Sequence, residues 1–300
     1  MIPFTRLLMA GRKDYKQPRR YNVLMTSSHS DTKHFESHIK ITTANKTALD
    51  YLAENTQLSK QKLKRVMSNG AVWLESSIGT HRLRRAKKIL NTNEILHLYY
   101  DEAIQNSIPE PAELIADEGD YSIWNKPYGL YSQGSKWGDH CTIYRWAEEH
   151  LKPQRPAFVV HRLDRAASGL IILAHTKKMA TKFSELFKNR DIQKRYKAIV
   201  EGSLNHLVLP YTISSEIDNK PAVSKIITVK ALENNKTILI IEIETGRKHQ
   251  IRKHLAELNY PIVGDRLYGS KQPTDNLQLQ ACYLKFICPV TKTIREYSLT

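Results

Sequence analysis

Cysteine, acidic side chains and long apolar runs are all scarce in this 300-residue sequence. The three cysteines, Cys141, Cys282 and Cys288, form no Cys-x-x-Cys pair. That argues against a disulfide scaffold or a cysteine-rich zinc site and predicts three structural thiols in a reducing compartment. No apolar run approaches the ~20 residues of a membrane span, so an integral membrane protein is not expected. Asp and Glu number 30 against 46 Lys and Arg, a net charge of +16. An excess of that size points to a polyanionic partner, either nucleic acid or an acidic membrane surface. With 41% hydrophobic and 25% charged residues, the composition is that of a folded protein. The length allows one large domain or two small ones.

The basic excess is uneven. Residues 1–110 hold 18 Lys and Arg against 10 Asp and Glu, and residues 111–300 hold 28 against 20. Each part therefore carries +8, the first over a much shorter length. Residues 1–41 are basic, contain Ser, Thr and His, and lack periodicity. Phe4, Leu7, Leu8 and Met9 are broken by Arg6 and followed by Arg12-Lys13, too short a run for a signal peptide. Asp14 and the missing amphipathic pattern weigh against a transit peptide. A flexible basic tail is expected.

Residues 42–102 read as a small α/β module. Ala48, Leu49 and Leu52 mark one short helix; Ser59 can cap a second, in which Leu63, Val66 and Met67 fall at helical spacing and Gly70 ends the run. Ala71–Leu74 and Ile95–Tyr100 read as strands. Lys60, Lys62, Lys64 and Arg65 lie on or beside the other face of the second helix, and Arg82, Arg84 and Arg85 lie between the strands. Two basic clusters flanking one small fold favour RNA binding over a merely solvated surface. The acidic stretch Ile108-Pro109-Glu110-Pro111-Ala112-Glu113 makes 103–120 a linker. From 121 to 300 strand patterns dominate, with two helices.

One constellation carries chemistry. His161-Arg162-Leu163-Asp164-Arg165 sits between two short buried-strand signals, Phe158–Val160 and Leu170–Ala174. A carboxylate between two guanidiniums on such a turn is either a loop salt bridge or a charged group kept ready as nucleophile or base. Alternation places Tyr196, Ala198 and Val200 on one strand face, ordinarily a core position. Ile251, Leu255 and Leu258 mark the buried stripe of a helix ending near Leu258-Asn259, with Arg252 beside that stripe. A guanidinium there needs an anion or must reach out to water. His161, His249 and His254 lie in separate elements without metal-ligand spacing, so zinc is not expected.

Two resemblances follow. The first module is similar to the S4 RNA-binding domain through Ala48-Leu49-Asp50-Tyr51-Leu52-Ala53, Leu58-Ser59-Lys60 and Gly70-Ala71-Val72. His161-Arg162-Leu163-Asp164 with Ser168-Gly169-Leu170 resembles the signature of the RluA-type pseudouridine synthases. Asn125-Lys126-Pro127-Tyr128-Gly129-Leu130, Lys194-x-Tyr196-x-Ala198-x-Val200-x-Gly202, Thr245–Leu255 and Tyr260–Gly269 resemble that family's other blocks, in the same order. The resemblance covers residue 121 to the end.

It implies an α+β fold, a catalytic domain over 121–300 built on a largely antiparallel, bent mixed sheet, preceded by the S4-like module. It further implies that Asp164 is the catalytic aspartate, acting on a uridine in RNA without cofactor or metal. The N1–C1′ bond breaks, the base turns and rejoins through C5; the Asp attacks C1′, removes a C2′ proton or adds to C6. Tyr196 would stack on the target base, Arg252 would pair with Asp164, and Leu279 would line the pocket. Lys126, Arg162, Arg165, Arg247 and Lys248 would meet phosphates beside the flipped nucleotide. Large-subunit rRNA is the favoured partner, with tRNA open; a cytoplasmic monomer with no membrane partner is expected. Lys248, Gln280 and Ala166-Ala167 depart from the family pattern and bear on the target, not the reaction. Two rival readings stand beside it. One is a glycoside or nucleoside hydrolase using Glu242 or Glu244 as second carboxylate; the other is a catalytically idle rRNA assembly factor.

Overall fold

The computed structural model describes residues 33–269 and 275–299. Most of the expected tail therefore lies outside the described residues. The first layer contains β1 (His34–Lys40), α1 (Ala48–Asn55), α2 (Lys60–Ser68), β2 (Val72–Ser76), β3 (Gly79–Arg82) and β4 (Ile95–Asp101). The strands form one antiparallel sheet in the order β1-β4-β2-β3. Both helices start at side-chain caps: Thr47 Oγ1 accepts the Asp50 N–H at 3.2 Å, and Ser59 Oγ accepts that of Lys62 at 3.3 Å. Helix α2 stops at Asn69, and Gly70 takes φ +77°, the left-handed turn that closes a helix. The buried stripes of both helices, including Leu52, Leu63, Val66 and Met67, pack on Val72, Leu74, Leu96, Leu98 and Tyr100.

Next come α3 (Glu102–Asn106), β5 (Glu113–Asp117), β6 (Tyr121–Lys126), α4 (Ile143–His150), β7 (Phe158–Val159), β8 (Ser168–Ala174) and α5 (Lys177–Asn189). They are followed by β9 (Gln193–Glu201), β10 (Tyr211–Glu216), β11 (Pro221–Leu232), β12 (Lys236–Ile243), α6 (Gln250–Glu257), β13 (Leu279–Ile287) and β14 (Ile294–Ser298). One mixed sheet runs β10-β11-β12-β9-β13-β8-β6-β5, with β14 on β13 and β7 on β8. The α+β class and the largely antiparallel sheet agree with the expectation. Register shifts in β5/β6, β11/β12 and β9/β13 mark bulges, which bend strands.

Only β8 and β13 pair in parallel among the described strands, through Ser168↔Gln280 and Gly169↔Ala281. Gly169 has φ +109°, and a Cβ there would lie 2.3 Å from the Ala281 carbonyl oxygen, so no larger residue permits this approach. Ala281 in turn lies opposite Tyr196. The sheet thereby sets the loop before β8 beside the middle of β9.

Three details differ from the sequence reading. Residues 34–40, assigned to the tail, form β1; Phe35, Ser37 and Ile39 alternate inward, but histidine and lysine on the other face mask the pattern. The assigned linker contains α3 and the edge strand β5, whose pairing with β6 is a long-range property that flanking prolines conceal. Among the described residues, the region after 121 has three helices, not two, because α4 is short and half its face is polar.

Candidate active site

Asp164 occupies the turn between β7 and β8, and the backbone on both sides of it is pinned. Ser132 Oγ donates to the Leu163 carbonyl at 2.7 Å and accepts the Leu163 N–H at 3.0 Å. On the other side, the Gly129 N–H reaches the Arg165 carbonyl at 2.9 Å. Lys126 is fully buried and donates to the carbonyls of Pro127 (3.0 Å), Leu130 (2.8 Å) and Arg165 (3.4 Å). Burial pushes its ammonium down to about 7, against the pull of Asp164. The expected phosphate contact for Lys126 is therefore corrected: its side chain fastens the turn from behind and offers no charge to a ligand surface.

Arg252 is buried in α6 and reaches Asp164 Oδ2 through Nη1 at 3.5 Å. Its principal partner is a residue that sequence reasoning left unassigned. Asp265 takes Nε and Nη2 in a two-pronged bridge at 2.7 Å each, and its Oδ1 also accepts the N–H groups of Leu267 and Tyr268 at 2.9 and 3.1 Å. Burial alone would raise the Asp265 carboxyl, but Arg252 and those N–H groups hold it below the ordinary carboxylate range. With two prongs committed, Nη1 is left aimed at Asp164. The missed signal was the pairing requirement itself: a guanidinium beside a buried stripe needs a carboxylate, and Asp265 stands in the matching block.

His249 Nε2 lies 3.7 Å from Asp164 Oδ1, while Nδ1 meets the Tyr268 hydroxyl at 2.9 Å. Burial lowers its pKa, Asp164 pulls it upward, and Arg252 and Lys248 push it down. The start of α6 is fixed by Gln250, whose Oε1 accepts from Thr245 Oγ1 at 2.7 Å and the Arg247 N–H at 3.1 Å. Its Nε2 donates to the Val223 carbonyl at 2.9 Å.

Tyr196 and Asp164 line one cleft of about 1200 Å³. Burial, then the Asp164 charge, pushes the Tyr196 phenol upward, so it stays a neutral donor. Leu279 does not line the cleft, contrary to expectation; it is buried in the core cluster against which Tyr196 packs. Arg162, Arg247 and Lys248 line the cleft; Arg247 Nε donates to the Pro221 carbonyl at 3.0 Å. Arg165 does not line it: its guanidinium sits 4.8 Å from the centre of the Tyr131 ring.

The basic residues of the first module divide. Lys64 and Arg85 are exposed. Lys60 pairs with Asp50 at 2.8 Å and Lys62 with Glu102 at 2.7 Å, and Arg65 donates to the Gln105 carbonyl at 2.6 Å. Arg82 and Arg84 are not the free RNA contacts expected. Both turn to Asp139, at 3.2 and 2.5 Å, in the loop after β6. The Tyr144 hydroxyl also donates to Asp139, at 2.6 Å, and Trp73 Nε1 donates to the Lys136 carbonyl at 3.1 Å. This seam brings Trp73, Arg82 and Lys136 to the same cleft as Asp164.

Among the described residues, no group of three His, Cys, Asp or Glu side chains is placed to hold a metal ion. None of the described helices is long and apolar enough to cross a membrane. Glu242 is occupied by Gln193 (2.6 Å) and Arg195 (3.0 Å); Glu244 lines the cleft.

Comparison with known proteins adds the following. A family profile described as RNA pseudouridylate synthase matches residues 120–257. The chain is 28% identical to a ribosomal large subunit pseudouridine synthase D of Buchnera aphidicola over 81% of its own length and 86% of the relative's. It is 31% identical to tRNA pseudouridine synthase C of Vibrio cholerae, over 56% of its own length and 82% of the relative's. The structure of human RNA Pseudouridylate Synthase Domain Containing 1 superposes with a TM-score of 0.54 at 22% identity, covering 65% of this chain and 85% of that one.

Proposed function

The chain belongs to the RNA pseudouridylate synthase family and is an enzyme acting on RNA, and from that premise we propose that it isomerises specific uridines of large-subunit ribosomal RNA, with Asp164 as nucleophile or base. The observation that carries this reading is the convergence on Asp164. Its carboxylate faces an arginine whose other prongs are locked by Asp265, and it shares a cleft with Tyr196. Breaking the N1–C1′ bond by attack at C1′, or by proton removal at C2′, needs one charged carboxylate held in place; neither route needs a second. Arg252 Nη1 orients that carboxylate and keeps it charged. The Tyr196 ring offers a stacking face for the base taken out of the RNA, worth about 1–3 kcal/mol, which is comparable to the cost of unstacking. Its neutral hydroxyl can hold the base while it turns.

The ribosomal relative aligns over 81% of the chain and the tRNA-directed one over 56%. The larger share favours a ribosomal target, with the S4-like module holding RNA around the modified nucleotide. In this reading the protein works as a cytoplasmic monomer, Arg162, Arg247 and Lys248 meet phosphates at the cleft, and Lys64 and Arg85 carry the module's free charge.

The test is tritium release from large-subunit rRNA and tRNA transcripts labelled at uridine C5. Wild-type protein releases tritium from the ribosomal transcript, and Asp164→Ala lowers the rate by about 10³-fold or more. Wild-type activity on the tRNA alone overturns the choice of target. Full activity of Asp164→Ala overturns the role of the aspartate.

A further inference from the structure

A second set of cations lines the cleft and has no part in the roles above. Lys188 lies in the last turn of α5, Arg190 caps that helix in a left-handed conformation at φ +66°, and Lys194 is the second residue of β9. All three line the cleft together with Asp164 and Tyr196. Lys194 and Tyr196 stand two residues apart on one strand, so both side chains leave the same face roughly 7 Å apart. Rings brace this wall: His161 packs 4.5 Å from Phe187, and the Lys194 ammonium sits 5.7 Å from the centre of the same Phe187 ring. Burial pushes His161 down to about 3, and its Nε2 accepts the Ile172 N–H at 2.9 Å, so this brace is neutral and fixed.

Among the described residues, none of these three cations forms an ion pair. Cations at a helix C-terminus are favoured by the helix dipole, which accounts for Lys188 and Arg190 in part. It does not account for Lys194, which is on a strand. Burial, then the neighbouring Arg190, pushes Lys194 below the ordinary lysine range. A partly desolvated cation beside another cation is costly unless an anion arrives. Among the described residues, the cleft lining holds one carboxylate besides Asp164, that of Glu244.

We propose that Lys188, Arg190 and Lys194 form a phosphate-binding wall that grips the RNA backbone next to the nucleotide held at Asp164 and Tyr196. The inference rests on the reading of the cleft as the RNA site. It adds a contact on α5 and β9, away from the S4-like module, so the strand is held from two sides of the reacting uridine.

The test uses the full chain and a fluorescein-labelled large-subunit rRNA transcript, with binding followed by anisotropy across a salt series. Lys188 and Arg190 are exposed, so a K188Q/R190Q double variant keeps the fold. It should lower the slope of log K against log salt by about 1–2, because each lost phosphate contact removes somewhat under one unit. K177Q/K178Q, which removes the same charge from the first turn of α5 outside the cleft, should leave the slope unchanged. Lys194→Met should raise KM for tritium release by more than it lowers kcat. An unchanged slope in K188Q/R190Q, or an equal drop in K177Q/K178Q, overturns the wall alone. Wild-type protein that binds no RNA overturns the wall and the reading beneath it.

Discussion

Asp139 and Asp265 are both buried and both answered by arginine, in opposite proportions. At the seam, one carboxylate faces two guanidiniums, Arg82 and Arg84. At the active site, one guanidinium, Arg252, faces two carboxylates, Asp265 and Asp164. The seam is left with a surplus cation, and Arg82 presents it to the cleft where RNA would lie. The candidate site is left with a surplus anion, Asp164, the carboxylate proposed to react. The finish differs as well. Both oxygens of Asp265 accept hydrogen bonds, whereas Asp139 receives Arg84 and Tyr144 on Oδ2, with Arg82 alongside, and its buried Oδ1 has no partner. A joint that only has to hold tolerates an unmet oxygen. A joint that must aim Nη1 at Asp164 does not.

The sharpest way to break this contrast is Asp265→Asn. It leaves Arg252 buried and half-answered, which should cost about 3–5 kcal/mol of stability. Loss of aim should lower kcat roughly 10²-fold, read by denaturant unfolding and tritium release. Asp139→Asn should cost less, about 1–3 kcal/mol, since Arg82 and Arg84 are 17% and 27% exposed and can turn toward water. It should raise KM for structured RNA while kcat holds. A fall in kcat matching that of Asp265→Asn would show that the seam also aims the chemistry.

The smallest effect is in acid. Burial would raise both carboxyls, but their arginines hold both below the ordinary 3.8. Carboxyls lowered by folding give stability that is complete above the unfolded value and lost as pH falls through the folded one. Wild-type Tm should therefore drop from about pH 4 downward, and each Asp→Asn variant should show a shallower drop. A wild-type slope in Asp139→Asn would mean that the half-paired carboxylate is not firmly held.

What could be read from the sequence was local. The turn bearing Asp164, the strand face of Tyr196 and the stripe beside Arg252 follow from short-range pattern, as does the cap at Ser59. The partners of those groups did not follow. Asp265 lies 13 residues from Arg252, and Asp139 lies 55 from Arg84. No periodicity links positions that only the tertiary fold brings together. Lys126 is the instructive error. A lysine next to a reactive loop reads as a ligand contact, and only the fold shows its ammonium enclosed by three carbonyls. Strand β5 was hidden for the same reason, because an edge strand is defined by its neighbour.

The place of β13 in the sheet has a consequence for how the enzyme is born. It lies between β9 and β8, yet it is the last of the three to be synthesised. Until residue 287 has been added, the sheet lacks the strand that lies between the one bearing Tyr196 and the one that follows the Asp164 turn. Pairing Gly169 with Ala281 closes a loop of more than a hundred residues, a slow step by its length alone. In the proposed reading, the strand that joins the two halves of the site is thus the last of the three to reach its place, between β8 and β9.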